Sequence, residues 1–483
     1  MMSARMPSWL LVALLVVTLP VLAIWPLGIA SNLYDEKRML LVLLLAVTAL
    51  LLAIAPPLRR LWQSQVDTIP RGISRTLFVV LVLGLLSSSR AVLPHASVTE
   101  LALWVLLFTL MIVVAAVRAQ LRHYFDHVMI AMLALIFVIN LMVTSGYVLQ
   151  ALAGVRDLDF RLLFVNFSHL RFFNEFQGWT LPLAVLPALF AQSRGWMILR
   201  GLLLIAAMNW WMLLYLSGGR GVLVALMIAI AVMTLLFRGT LKQWLKLQIV
   251  SALGGLLLYL VLTIVIPEFV DNVIRNPELL RGSLSGRAAL WQLALSMILE
   301  HPLLGVGPMH YACVNPALAG HPHNAVLQIA AEWGLPASLL ISGLLLWLFT
   351  RAIQRARKQC TEYADIDIAP MLLASIIASV VLAQVSGVIV TPISQLMLAL
   401  IGGWLWGILI PASNGMSKWR MPHTFWSAAI AASMVVLIGV VSPLWQDVIN
   451  GTIAPPDKSR EFKPHFWIDG EICRDGSFWR VHQ

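Results

Sequence analysis

Residues 99–117 read TELALWVLLFTLMIVVAAV, nineteen residues almost devoid of charge. A helix of that length rises about 28 Å, close to the hydrocarbon thickness of a bilayer. Inside lipid no water can satisfy a free backbone, so such a segment is helical. Working outward, comparable runs fill nearly the whole chain. Apolar segments fall at 8–29, 39–56, 76–93, 99–117, 128–153, 178–193, 197–216, 221–237, 247–266, 323–350, 370–388, 392–410 and 424–443. The composition agrees: 60% hydrophobic, 11% charged and a mean hydropathy of +0.87, where a soluble domain carries about 25% charged residues. These features exclude a soluble enzyme and a soluble domain on one anchor. They predict an all-α polytopic membrane protein of about thirteen transmembrane helices.

The formal charge of +11, from 33 Lys+Arg against 22 Asp+Glu, has an explanation within this class. With the N-terminus in the cytoplasm, the inner loops hold Arg59, Arg60, Arg71 and Arg75, then Arg238, Lys242 and Lys246, then Arg351, Arg355, Arg357 and Lys358. The whole basic excess falls on that side, which is the positive-inside pattern, and no nucleic-acid partner is needed to account for it. The first apolar run is longer than the 7–15 residues usual in a signal peptide and reads as a span. The chain therefore divides into nine spans over 1–266, a large outer loop over 267–322, four spans over 323–443 and an outer tail over 444–483. No internal repeat, low-complexity run or heptad pattern interrupts it.

Three outer regions are too long to be simple connectors: 154–177, 267–322 and the tail. Within the second, 284–300 (LSGRAALWQLALSMILE) has the apolar spacing of an amphipathic helix. Outer arginines at membrane edges run against the positive-inside pattern, and three stand out. Arg220 lies in LSGGRG, whose glycines allow close backbone approach to a ligand; the plain alternative is a snorkelling lipid anchor. Arg287, in SLSGRAALW, opens the loop helix, where Ser283, Ser285 or Gly286 offers a cap. A helix N-terminus beside a guanidinium suits phosphate, and the alternative is pairing with Glu278 or Glu300. Arg171 stands among Phe172, Phe173 and Phe176, which read as an interfacial belt rather than as sugar platforms. Asn174 follows in the same stretch.

The densest polar cluster is His321-Pro322-His323-Asn324, where the large loop re-enters the membrane. Gln328 and Glu332 follow Asn324 on one helix face, and a glutamate at that depth is a functional candidate. A histidine here is a candidate general base or a simple helix cap. A zinc pair of His321 and His323 lacks further ligands at suitable spacing, so no metal is expected. There is no P-loop, GxSxG elbow or dinucleotide fingerprint. One base and several arginines on the outer face suit a lipid carrier with a diphosphate head group. An anion or lipid transporter fits the composition too, although it would call for matching basic or broken-helix features on the inner face.

GRAALWQLALSMILEHPLLGVGPMHY, then HPHNAVLQIAAEWGLPASLL, resembles the O-antigen ligase and O-antigen polymerase superfamily of bacterial inner-membrane glycosyltransferases. His323-Asn324, nine residues and Gly334 fit its signature; Ala337 departs from the final Gly, Thr or Tyr. The resemblance implies a GT-C-like, metal-independent enzyme with no cofactor, acting in the periplasm on undecaprenyl-diphosphate-linked glycans. It implies that His323 is the catalytic loop histidine and that Arg220 and Arg287 bind the diphosphate. Arg171, Asn174, Asn324 and Glu332 are additional substrate-binding candidates read from this chain. The thirteenth span and the outward tail resemble the pilin-type O-oligosaccharyltransferases, which implies a Ser/Thr acceptor on a periplasmic protein such as pilin. Transfer to lipid A-core, as in a ligase, or to another lipid-linked glycan, as in a polymerase, are the alternatives.

The tail carries Trp445, Phe466, Trp467, Phe478 and Trp479, too aromatic for a solvated disordered end. It is expected to pack, either on the large loop or against an acceptor. Cys313 and Cys473 both fall outside, and either pair to tie the tail to the loop or remain two free thiols; Cys360 falls inside and stays reduced.

Overall fold

The computed structural model describes residues 2–30, 32–155, 158–164, 166–237, 239–268, 287–314, 319–359, 367–410, 423–450 and 465–466. Every long element among them is a helix. In order these are α1 (Met2–Ala23), α2 (Leu33–Ile54), α3 (Pro56–Val66), α4 (Arg71–Arg90), α5 (Pro94–Leu121) and α6 (His123–Leu152). Then come α7 (Leu170–Thr180), α8 (Leu186–Ser193), α9 (Met197–Leu216), α10 (Arg220–Leu236) and α11 (Lys242–Leu260). The remainder are α12 (Arg287–Glu300), α13 (Tyr311–Val314), α14 (Ala325–Trp333), α15 (Leu335–Gln359), α16 (Ile368–Leu382), α17 (Pro392–Leu409) and α18 (His423–Asn450). Among the described residues, eight helices are long and apolar enough to cross a membrane, and four shorter apolar ones accompany them.

α5 and α17 form the centre, each with 78% of its apolar stretch buried. They approach closely because α17 presents small residues: a Cβ on Gly403 would lie 2.5 Å from the Met111 carbonyl. At their far end Arg118 pairs with Asp126 at 2.9 Å and donates to the Gly407 carbonyl at 3.1 Å, so a buried charge is matched and its donors are used. α4 and α11 bury only 22% of their apolar stretches and α15 only 11%, as helices facing lipid do.

Two predicted spans take a different form. The sixth, read as 178–193, starts earlier as α7 and breaks through a 3-10 turn at Leu181–Leu183 before α8. Pro182 and Pro187 each remove a backbone donor there, so a continuous helix is not available. The tenth, read as one helix from 323, is two. α14 ends at Trp333, Gly334 adopts φ +83°, and α15 restarts the chain. The preceding PLLGVGP turn fills the break: Leu335 N–H donates to the Pro302 carbonyl at 2.9 Å and Val306 N–H to the Ala331 carbonyl at 3.0 Å. A Cβ on Gly334 would sit 2.2 Å from the Leu303 carbonyl oxygen. Gly334→Ala is therefore expected to lose about 3 kcal/mol or more, from left-handed strain plus a backbone overlap. A thermal-unfolding midpoint equal to wild type would refute this. Ala337, where the signature calls for Gly, Thr or Tyr, is wholly buried against Leu101 and Trp333.

Candidate active site

The predicted loop helix forms as α12, with the capping candidates Ser283, Ser285 and Gly286 outside the described residues. Its Trp291 indole N–H donates to the Pro322 carbonyl at 3.1 Å and so holds the histidine turn from above. Below, Asn324 caps α14 by accepting from Leu327 N–H at 3.0 Å, while its amide donates to the Gln384 carbonyl at 3.2 Å. Ala325 N–H donates to the Ala383 carbonyl at 2.9 Å, docking the start of α14 on the end of α16. Between these supports His323 is held at φ +53°, in the left-handed region that a residue with a Cβ avoids unless its surroundings force it. His323 N–H donates to His321 Nδ1 at 3.2 Å, and the two rings meet edge to face at 4.2 Å between centroids.

Arg171 and Arg287 act on His323 electrostatically, and Arg171 and Arg220 act on Arg287. Arg171 and Arg287 therefore stand near His323, and Arg171 and Arg220 near Arg287. Burial foremost, then Arg171, Arg287 and His169, lower the His323 pKa to about 3, so its imidazole is neutral. The Arg287 guanidinium is likewise lowered, first by burial and then by its two arginine neighbours. Arg171 is in the first turn of α7, Arg220 opens α10 and Arg287 opens α12, while His323 stands just before α14. Each of the three arginines thus stands in the first turn of a helix, and helix N-termini and guanidinium groups both favour anions. The arginine clustering also rules out the pairing of Arg287 with Glu300, which lies roughly 20 Å away along α12; Glu278 is outside the described residues.

The other predicted residues sort differently. Asn174 accepts from Ser217 Oγ at 2.6 Å and so fastens α7 to the turn carrying Arg220. The phenylalanine belt is overturned: Phe172, Phe173 and Phe176 are buried, and Phe173 and Phe176 pack on Trp210. They are core because α7 is a helix of the bundle rather than part of a surface loop. Glu332 is also corrected as an open substrate contact. It is 1% exposed and accepts from Tyr311 N–H at 3.1 Å and from Gln328 at 3.3 Å.

One residue the sequence reading passed over stands behind the site. Glu175, buried on α7, accepts from Ser386 Oγ and Thr391 Oγ1, each at 2.6 Å. A Cβ on Gly387 would lie 2.8 Å from His321 Nε2 and 3.3 Å from Glu175 Oε1, so both groups converge on that glycine. The available signal was its spacing, four residues after Arg171, once the stretch is taken as helical.

Cys313 is disulfide-bonded, against the alternative of free thiols. Its expected partner, Cys473, lies outside the described residues. Non-reducing peptide mapping is expected to return a cross-linked 313–473 peptide, and free Cys473 would contradict that pairing.

The helical membrane bundle thus places arginines beside a neutral histidine. Residues 201–342, from within α9 to the start of α15, match the family model described as O-antigen ligase, so the chain carries a domain of the O-antigen ligase superfamily. That is a family of glycosyltransferase-like ligases. A comparison with curated proteins finds no match.

Proposed function

We propose that this chain transfers a glycan from undecaprenyl diphosphate to a Ser or Thr hydroxyl of a periplasmic protein such as a pilin. On this reading it acts at the periplasmic face of a bacterial inner membrane, with its N-terminus in the cytoplasm. The observation that carries the transfer chemistry is the placement of Arg171 and Arg287 near His323, with Arg220 near Arg287. The acceptor oxygen attacks the anomeric carbon and its proton passes to the neutral His323 imidazole. The bond from that carbon to the diphosphate breaks, and the diphosphate leaves with the electron pair, its growing charge met by the guanidinium groups. One displacement inverts the anomeric centre. A bound diphosphate offsets the field of the arginines, which raises the affinity of His323 for a proton as the reaction begins. Asn174 and Asn324 position the arginine turn and the histidine turn.

The protein acceptor is supported by the thirteenth span and the outward tail, which resemble the pilin-type O-oligosaccharyltransferases. A second reading, transfer to lipid A-core, is favoured by the description of the matched family. Expression in a host that makes lipid-linked O-antigen, with both pilin and lipid A-core present, separates them. Glycan on pilin is expected. Glycan on lipid A-core alone would establish the ligase, lengthened lipid-linked chains alone the polymerase, and movement of the lipid carrier without transfer a transporter.

Arg220→Lys and Arg287→Lys are each expected to lose about 10- to 100-fold in transfer, since an ammonium makes no two-pronged phosphate contact. Wild-type rates in either variant would show that a plain positive charge suffices.

A further inference from the structure

At the far end of α14 from His323, three side chains from distant parts of the chain meet in the interior. Glu100 comes from α5, Glu332 from α14 and His465 from the tail, and their donor atoms all lie within 4.8 Å of one another. His465 Nε2 is 3.5 Å from Glu332 Oε1. We propose that these three residues bind a divalent transition-metal cation, Zn2+ or Mn2+, which fastens the C-terminal tail to the bundle.

The first support is an unused ligand. Glu100 Oε2 is buried and has no hydrogen-bond partner, and it belongs to the carboxylate that faces the other two donors. A buried carboxylate oxygen without a close hydrogen bond is costly, and a cation satisfies it directly. The second is charge. Two carboxylates share this interior, and the nearby Arg38, although it interacts electrostatically with Glu100, donates to neither. Its guanidinium is used on the carbonyls of Val390, His465 and Phe466 and on Gln395. A divalent ion cancels both carboxylate charges.

The donor set selects the ion. Ligand atoms held about 2.1 Å from one ion lie roughly 3 to 4 Å apart, and the His465–Glu332 separation already fits. An imidazole with two carboxylates suits Zn2+ or Mn2+, whereas Mg2+ and Ca2+ prefer oxygen alone. The outer contacts suit a metal centre as well. Trp104 Nε1–H donates to Glu100 Oε1 at 3.3 Å, and Tyr311 N–H and Gln328 hold Glu332. The ion takes no part in transfer, because about 12 Å of helix separates Glu332 from the histidine turn. The proposal is independent of the acceptor and of the transfer step.

The test uses full-length protein in nanodiscs, purified by a tag without histidines. It is loaded separately with Zn2+ and with Mn2+, then freed of loose ion by gel filtration and analysed by elemental mass spectrometry. About one equivalent per chain is expected for one of the two metals. The Glu100→Gln and His465→Gln variants are expected at background. X-ray absorption on the wild type, which needs no variant to fold, is expected to show one imidazole nitrogen, oxygen ligands and no sulfur. Wild type at background for both metals, both variants retaining the wild-type content, or a sulfur-ligated spectrum would each overturn the assignment.

Discussion

Replacing His323 with alanine is expected to slow glycan transfer by about 100- to 10,000-fold, the range that one positioned general base supplies. Membrane insertion and accumulation are expected to stay near normal, because the cap on α14 comes from Asn324 and the turn is held by Trp291. His323→Asn is the sharper comparison. Asparagine tolerates the left-handed backbone and accepts a hydrogen bond but takes no proton, so it too should be inactive if the histidine is a base. Wild-type transfer rates in either variant would remove His323 from the mechanism.

The pH profile gives a second check with a definite sign. The pKa of His323 is lowered to about 3, so between pH 5 and 8 the group is deprotonated and ready. kcat/KM, which reports the free enzyme, is therefore expected to show no acid limb near 6.5 from this residue. kcat reports the loaded enzyme, in which diphosphate offsets the arginines, so its acid limb is expected at higher pH than that of kcat/KM. The reverse order would mean that the anion does not sit among these residues.

Deleting residues 451–483 is expected to abolish transfer to pilin and to a short soluble serine peptide alike, with a lowered unfolding temperature. The reason is the burial of His465 and Phe466 in the mouth of the bundle. Arg38, 1% exposed, donates from Nε to the Phe466 carbonyl at 2.9 Å and lies 4.8 Å from the centroid of its ring. Tyr34 donates to the His465 carbonyl at 2.5 Å. Removing these partners leaves the buried Arg38 Nε–H without its acceptor while Val390 and Gln395 keep the other donors, which costs about 1–3 kcal/mol in a protein whose total stability is of order 5–15 kcal/mol. A tail that only recruited acceptors would instead spare the peptide reaction, so retained transfer to peptide would refute the structural role.

The sequence by itself determined the membrane class. Apolar runs of bilayer length are a local property, and lipid leaves a chain no choice but helix. It also named the residues on which the proposed chemistry rests, because His323, Arg220 and Arg287 carry the resemblance within short motifs. Tertiary structure decided what depends on neighbours. That Phe173 and Phe176 are core and that Glu332 is sealed follows from which helix packs on which. The sequence reading starts the second span at residue 39, yet α2 begins at Leu33 and buries Lys37 and Arg38, because distant carbonyls at Val390, His465 and Phe466 receive the arginine's donors. No periodicity reveals that Glu100, Glu332 and His465 meet, since they are hundreds of residues apart and only packing brings their donor atoms within reach of one ion.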